Sequence, residues 1–363
     1  MYLKNIELTN FRSHQKLKID FQGNVIVLYG PNGKGKTNIL EAIHFLSTGK
    51  SLRSQYDSDS ISHNEKFLKL RSDIVISEDG DKTNLELIVD KTNSFGNRSI
   101  KKFKINQVPK QGSKFTGILK SVIFLPSDLD LLLSSPSIRR KYLDSIFYQT
   151  SSEYKSSILN YTKALKQRNK ILESMFEENN INKDHFESQL DFWTSKIISE
   201  GSFIQKHRED FFIFLRENVI SLNEKLGLSD FHIEFKYVPN LATQENYLDS
   251  KDKEFFTRTT QFGPHKDDFE MLLNEKNIQY FASRGQQRVS LIILKMIELE
   301  YIFQKTNERP ILLLDDIFSE LDDKHKNSIL KIIKEQQTFI SSVYKLSEFE
   351  DLSDQIIDIE EIG

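Results

Sequence analysis

The stretch Gly30-Pro-Asn-Gly-Lys-Gly-Lys-Thr37 decides the fold of this chain and matches the pattern GxxxxGK[ST]. A largely apolar, β-branched segment at 24–29 precedes it and predicts a buried strand. After it, residues 38–47 carry apolar side chains at helical intervals and predict a helix. A glycine-rich turn between a strand and a helix directs successive backbone amides and the helix N-terminus at one phosphate group. The sequence therefore predicts a nucleotide-binding loop.

Each residue of this loop is predicted to contact the nucleotide. Lys36 would place its charge near the β- and γ-phosphates, and Thr37 would offer its hydroxyl to Mg²⁺. Because no guanine-reading motif accompanies the loop, the sequence favours ATP over GTP. The predicted contacts are Gly30, Pro31, Asn32, Gly33, Lys34, Gly35, Lys36 and Thr37.

A second predicted strand, at 311–314, is apolar throughout and ends in two acids, Asp315 and Asp316. A carboxylate at the C-terminal end of a strand beside the loop can reach a Mg²⁺ ion held by Thr37. We assign that role to Asp315. Asp316 is predicted to position or deprotonate the attacking water.

The composition limits the classes of protein that this chain can belong to. Its 363 residues are long for one compact core and predict two lobes. The net charge of −3 means that any nucleic-acid site must be a local basic patch. The absence of cysteine excludes disulfides, thiolate metal sites and cysteine nucleophiles. With no leader pattern and no apolar run of membrane length, we expect a cytoplasmic protein without a membrane partner.

The order of predicted elements indicates an α/β fold in which a mainly helical lobe interrupts the nucleotide head. The head comprises 1–133 plus 260–363 and the inserted lobe 134–259. The strands before the phosphate loop are predicted to form a sheet edge beside the nucleotide, and an antiparallel patch is predicted between the first helix and the next core strand. An antiparallel helical hairpin and a helix or lid-like loop at 247–260 follow. The predicted strands of the head are 3–8, 16–21, 67–77, 85–90, 99–107, 121–125, 268–273, 278–281, 338–342 and 355–360.

Several basic residues are candidates for phosphate contacts. Arg12 lies in a predicted turn and is either a solvated loop arginine or a contact to nucleotide or DNA phosphate. Lysines on a strand often only protect a sheet edge. The concentration of lysines on the predicted strand 99–107, in a chain of slightly negative net charge, also fits a surface that faces DNA phosphates. The DNA-binding candidates are Lys50, Arg53, Lys101, Lys102 and Lys104.

The segment Ser283-Arg-Gly-Gln286 opens a strongly helical run and allows two interpretations. Serine is a preferred N-cap, so the segment is either a simple cap or an anion site made of a hydroxyl, amides and the helix dipole. Since the phosphate loop already supplies one helix N-terminus, a second anion site would serve the ATP of a second subunit. Ser283, Gly285 and Gln286 are therefore candidate nucleotide contacts across a dimer.

Five stretches together resemble the RecF family of bacterial DNA-repair ATPases, which belongs to the ABC class and is related to SMC proteins. The last two resemble the ABC signature and a Walker B strand joined to a D-loop. The stretches are Asn10-Phe-Arg-Ser-His14, Pro136-x-x-Arg139-Arg140-x-Tyr142-Leu-Asp144, Gly263-Pro-His-Lys-Asp-Asp268, Ser283-x-Gly285-Gln286 and Leu313-Leu-Asp-Asp-x-x-Ser-Glu-Leu-Asp322.

The resemblance implies an ABC-type head with ATP and Mg²⁺ as cofactors, an ATP-dependent homodimer and slow, DNA-stimulated hydrolysis. It also implies binding to single- and double-stranded or gapped DNA, RecR and, through it, RecO as partners, and a position for Arg12 beside the nucleotide. Asp316 departs from the transporter pattern, which has glutamate. No glutamine of the Q-loop type follows 122–125, and Ser341 and Ser342 stand where a switch histidine would be. An SMC-like ATPase or a nucleotide-sensing scaffold is the alternative.

Overall fold

The computed structural model describes residues 1–54, 56–76, 80, 82–91, 99–177, 183–225, 227, 231–320, 326, 330, 333–343 and 352–362. The chain forms two compact units. The first comprises Met1–Leu129, Ser221–Ser229 and Arg288–Gly363, and the second Asp130–Ile220 and Asp230–Gln287. The structure groups 260–287 with the second unit, whereas the predicted head includes them. The predicted division of the chain into an ATPase head and an inserted lobe remains a prediction.

The described part of the chain contains both strands and helices. The strands are β1 (Tyr2–Leu3), β2 (Asn5–Phe11), β3 (His14–Asp20), β4 (Val25–Tyr29), β5 (Phe67–Val75), β6 (Lys82–Asp90), β7 (Ile100–Ile105), β8 (Val108–Lys110), β9 (Ser121–Phe124), β10 (Ile233–Val238), β11 (Asp268–Leu273), β12 (Lys276–Asn277), β13 (Ile311–Asp315), β14 (Thr338–Ser342) and β15 (Gln355–Asp358). The helices are α1 (Lys36–Thr48), α2 (Gly112–Phe115), α3 (Asp130–Leu133), α4 (Pro136–Thr150), α5 (Ser152–Glu177), α6 (Lys183–Lys225), α7 (Gln244–Thr257), α8 (Ile278–Phe281) and α9 (Arg284–Thr306).

A parallel sheet of order β15-β4-β14-β13-β9 carries the nucleotide loop. Every residue of β13 and β14 is buried, as expected of parallel strands that are covered on both faces. The carboxyl ends of β4, β13 and β14 lie at the same edge, with Asp315 opposite Ser341 in the register. This edge therefore brings together the loop after β4 and the acids after β13.

An antiparallel sheet of order β3-β2-β5-β6-β7-β8, with β1 paired to β5, also belongs to the first unit. Its inner face packs with α1 in one apolar core that includes Leu8, Leu70, Leu87 and Ile43. Alternate residues of β5 point inward and outward, which is the pattern of a half-buried strand. The prediction of an antiparallel patch between the first helix and the next core strand is confirmed, because β5 to β8 pair antiparallel and lie between α1 and β9.

The second unit contains α3, α4, α5, α7, α8 and most of α6, together with a small antiparallel sheet of order β10-β11-β12. Helices α5 and α6 correspond to the two arms of the predicted hairpin, and the turn between them, 178–182, lies outside the described residues. Residues 244–257 form a helix, capped by the Thr243 hydroxyl, which accepts from the N–H of Asn246. The helical one of the two predicted conformations is thus the observed one.

The prediction of a strand at 278–281 is wrong, because these residues form helix α8. Asn274 and Glu275 both have positive φ, so the chain reverses directly after β11 and only Lys276–Asn277 pairs back. Asn277 then caps a helical turn by accepting a hydrogen bond from the N–H of Gln279. The turn and the cap therefore decide the local conformation, and the apolar residues at 278 and 281 have the spacing of one helix face.

Candidate nucleotide-binding site

The loop after β4 has a conformation that only glycine fits at two positions. Gly30 and Gly35 have φ of 146° and 91°. A Cβ on Gly35 would lie 2.3 Å from Nε2 of His14, which is within hydrogen-bonding distance, 3.2 Å, of the Gly35 carbonyl oxygen. The hairpin between β2 and β3 therefore packs directly on the loop, and the close approach requires glycine.

Lys36 is buried at the start of α1, with its ammonium inside the curve of the loop. The Nζ atom donates to the carbonyl oxygens of Gly30 and Pro31, at 2.5 and 2.9 Å. Burial lowers the pKa of Lys36, against the opposing charges of Asp316 and Asp315. The charges of both predicted acids therefore act on the predicted phosphate-binding lysine and raise its pKa.

The predicted metal ligands lie together. The Thr37 hydroxyl is 2.9 Å from both carboxylate oxygens of Asp315, and Ser341 Oγ donates to Oδ1 of Asp315 at 2.6 Å. Burial raises the pKa of Asp315, while the hydrogen bonds from Ser341 and Thr37 and the charge of Arg53 lower it. A hydroxyl and a carboxylate are hard oxygen donors of the kind that Mg²⁺ prefers.

Asp316 follows in the left-handed region, with φ of 50°, and its N–H donates to Ser341 Oγ at 3.0 Å. Sequence reasoning noted Ser341 only for the histidine that it replaces, whereas the structure gives its hydroxyl two partners in the site. No local signal could have found it, because 26 residues separate Ser341 from Asp315 and only the pairing of β13 with β14 joins them. The predicted D-loop residues 321 and 322 lie outside the described residues.

Glu41, which sequence reasoning missed, anchors two of the predicted phosphate contacts. It lies on α1 one turn after Thr37, is 1% exposed, and accepts from Arg12 at 2.7 Å and from Arg53 at 2.6 Å. Burial raises the pKa of Glu41, but the hydrogen bonds from both arginines outweigh it and hold the pKa below its ordinary value. Arg12 is therefore not a solvated loop arginine.

The other DNA-binding candidates differ in what they contact. Lys101 donates to Asp57 at 2.6 Å and to the Gly49 carbonyl, and Lys104 pairs with Glu86 at 2.8 Å. Lys50 and Lys102 are exposed. The structure thus keeps the strand lysines on the surface but does not make them one uniform patch of free charge.

Ser283, in the second unit, forms a capping box with Gln286. The N–H of Gln286 donates to Ser283 Oγ at 3.3 Å, and the N–H of Ser283 donates to Gln286 Oε1 at 2.8 Å. A Cβ on Gly285 would meet no atom within 4 Å. Ser283 therefore caps the helix in the structure. That this exposed turn contacts the ATP of a second subunit remains a prediction.

The two remaining signature stretches hold one another within the second unit. Arg139 forms a two-pronged pair with Asp268 at 2.5 and 2.9 Å, and Arg140 donates to the carbonyl oxygen of Asp267. The buried carboxylate of Asp267 accepts from Tyr237 and, at 2.7 Å, from Arg208. These contacts show that much of the signature stabilises this unit.

The fold and the site define an ATPase head of the ABC class. The model of the RecF/RecN/SMC N-terminal domain family matches residues 2–360. The DNA replication and repair proteins RecF of Bacillus cereus (strain G9842) and Bacillus anthracis (strain CDC 684 / NRRL 3495) are each 34% identical over 94% of this chain and 92% of their own. This chain belongs to the RecF family of DNA replication and repair proteins.

Solved structures agree with this assignment. A structure described as the recombination mediator protein RecF with ATP, in the RecFOR pathway, has a TM-score of 0.85 at 31% identity and covers 95% of this chain and 93% of its own. An Smc head bound to the C-terminal winged-helix domain of ScpA, at 19% identity and a TM-score of 0.52, shares the fold, covering 99% of this chain and 94% of its own. Among the described residues, no helix is long and apolar enough to cross a membrane.

Proposed function

We propose that this protein is an ATP-dependent DNA-binding protein of recombinational repair and replication-fork maintenance. The observation that carries the proposal is the meeting of Lys36, Thr37 and Asp315 at the carboxyl edge of the parallel sheet, in a chain that matches RecF relatives over 94% of its length. The solved RecF structures with ATP support ATP as the nucleotide. The loop amides and Lys36 bind and orient the triphosphate.

Thr37 and Asp315 would hold Mg²⁺, which when bound neutralises charge on the β- and γ-phosphates. The donor set fits, since both groups are hard oxygen donors and a hydrogen bond already joins them. Asp316 orients the attacking water or takes its proton. Because aspartate is one methylene shorter than the glutamate of transporters, we expect slow hydrolysis, which DNA binding stimulates.

We further propose that ATP, and not ADP, joins two copies head to head, with Ser283 and Gly285 of one copy at the γ-phosphate of the other. The dimer would bind single- and double-stranded or gapped DNA and release it after hydrolysis. RecR, and RecO through it, are the expected partners in the cytoplasm. These partners are supported by the solved relative, which is described as a recombination mediator of the RecFOR pathway.

Sedimentation velocity tests this function directly. The protein is measured with ATP, with ADP and without nucleotide, each with and without a gapped duplex. We expect a dimer, and co-sedimenting DNA, only with ATP, and neither in the Lys36→Met variant. Equal sedimentation with ATP and ADP would contradict the proposal.

A non-hydrolysing, nucleotide-sensing scaffold is the second candidate, favoured by Ser341 at the place of a switch histidine. Ser341 contacts Asp315 and the backbone of Asp316, so its hydroxyl is committed within the site. Phosphate release in a single turnover, with and without duplex DNA, separates the two functions. A scaffold releases no phosphate under either condition.

A further inference from the structure

The outer face of the antiparallel sheet carries three lysines in one line across five strands. The strand register places Lys16 opposite Thr9, Thr9 opposite Lys69, Lys69 opposite Ile88, and Ile88 opposite Lys102. Adjacent strands are about 4.8 Å apart, so successive lysines of this line lie about 10 Å apart. We call Lys16, Lys69 and Lys102 the lysine row.

The neighbouring line of residues on the same face consists of paired opposite charges. There Lys18, Glu7, Arg71, Glu86 and Lys104 follow one another across the same five strands. Each cation of this line contacts a carboxylate, at 3.3 Å for Lys18–Glu7, 2.7 Å for Arg71–Glu86 and 2.8 Å for Lys104–Glu86. Acids thus alternate with bases in this line.

The lysine row has uncharged residues where the neighbouring line has acids. Within the part of the chain that the structure describes, no ion pair joins any of its three lysines to a carboxylate. The uncharged residues keep the three ammonium groups two strands apart, which limits their mutual repulsion. The row therefore leaves three positive charges for a partner outside this sheet.

Protection of a sheet edge does not explain the row. A lysine blocks unwanted pairing only when it stands on an edge strand. Lys69 lies on β5 and is paired on both sides, to Thr9 and to Ile88. Lys16 lies on the edge strand β3, and Lys102 lies on the part of β7 that β8 does not reach, so edge protection leaves Lys69 unexplained. Lys16 and Lys102 are exposed and Lys69 is partly exposed. The positions of the lysines fit a binding face better than an edge guard.

We propose that the lysine row binds the phosphate backbone of DNA, an inference that rests on the proposed DNA-binding function. Double-stranded DNA carries one negative charge per about 1.7 Å of its axis, so evenly spaced lysines find phosphates in any register and on any sequence. An acidic protein would need carboxylates at matching positions. The row also refines the predicted DNA site, because it retains Lys102 and adds Lys16 and Lys69.

The test compares two triple variants with equal loss of charge. One is Lys16→Gln/Lys69→Gln/Lys102→Gln. The control is Lys163→Gln/Lys166→Gln/Lys170→Gln, which removes three exposed lysines from α5 in the second unit. Binding of a fluorescent gapped duplex is measured by anisotropy with ATP over a range of salt concentrations. Circular dichroism and ATP binding verify that both variants fold.

For the lysine-row variant we expect weaker binding and a slope of log affinity against log salt that falls by about 2.7, since each lost contact removes about 0.9. The control should retain the slope of the parent. An unchanged slope and affinity in the lysine-row variant would overturn the proposal and leave the row to an acidic protein partner. Equal losses in both variants would also overturn it, as an effect of net charge. If the parent itself binds no DNA, the proposed function fails first.

Discussion

The hydroxyl of Ser341 lies 2.6 Å from Oδ1 of Asp315 and also accepts the N–H of Asp316, at 3.0 Å. One side chain on β14 therefore orients both acids at the end of β13. This contact exists because the two strands are parallel neighbours, with Asp315 opposite Ser341. The residue at this position thus acts on the predicted metal ligand and on the backbone of the predicted base.

Replacement of Ser341 by alanine should shift the pH dependence of ATP hydrolysis. Burial raises the pKa of Asp315 and the Ser341 hydrogen bond lowers it, so removal of the hydroxyl should raise that pKa further. The acidic limb of the kcat/KM profile, which reports the free enzyme, should then move to higher pH, and more Mg²⁺ should be needed for half-maximal rate. Ser341→Thr, which keeps a hydroxyl, is the matched control. Superimposable profiles for the alanine variant and the parent would remove Ser341 from the mechanism.

Replacement of Asp316 by asparagine should lengthen the life of the ATP-bound state. The change removes the proposed base and leaves Asp315 and Thr37 to hold Mg²⁺. Phosphate release in a single turnover should slow by about 10²-fold or more, while ATP binding persists. Asp316→Glu is the companion variant, because it installs the longer acid of transporters and tests reach separately from charge. Unchanged turnover in Asp316→Asn would place the base elsewhere.

The phosphate loop and the strand β13 could be predicted because their signals are local. A glycine pattern between an apolar strand and a helix occupies residues 24–47, and an apolar run that ends in acids occupies residues 311–316. The boundaries of β4, α1 and β13 agree with those predictions. The class of fold followed from the same two segments and from the resemblance.

The meeting of Thr37 and Asp315 was predicted from two motifs, but the other contacts that organise the site join residues that no motif links. Glu41 receives Arg12 and Arg53 across 29 and 12 positions. Asp267 accepts from Arg208 across 59 positions, so a stretch that the sequence marked only by its resemblance to a family is partly a buried network. The sequence shows which residue types are present, but it does not show which of them the fold brings into contact.

Glu41 provides a prediction about stability and its pH dependence. The arginines hold the pKa of Glu41 below its ordinary value, so Glu41 contributes stability above its unfolded pKa of about 4.3 and loses it as pH falls through its folded pKa. We expect Glu41→Gln to lower the free energy of unfolding at neutral pH by about 2–4 kcal/mol. This is less than the loss of a partner from a fully buried pair, because both arginines are partly exposed.

Urea unfolding of parent and Glu41→Gln at a series of pH values measures this effect. The difference between them should shrink as the pH falls below the unfolded pKa. Glu65→Gln, at an exposed glutamate of the same unit, should change stability by about 0.5 kcal/mol or less. A difference that stayed constant over the whole pH range would show that packing, and not charge, accounts for the loss.

The dimer is tested most sharply by two variants that are each inactive alone, Lys36→Met and Ser283→Arg. In the proposed head-to-head dimer each nucleotide lies between Lys36 of one copy and Ser283 of the other. A mixed dimer then has both lesions in one site and none in the other. Mixing the two variants should therefore recover part of the ATPase activity, up to about half of the parent rate in each mixed dimer if one intact site turns over alone.

Ser283→Arg by itself separates this arrangement from a simple helix cap. Loss of the cap alone would cost about 1 kcal/mol of stability and leave association unchanged. A side chain that blocks a site shared between copies would instead leave ATP binding by the monomer intact and prevent ATP-dependent dimers, with or without DNA. Ser283→Ala, which removes the cap without adding bulk or charge, is the control, and unfolding measurements on both variants quantify the cap. If Ser283→Arg sediments as a dimer with ATP as the parent does, each copy completes its own nucleotide site and the shared site is wrong.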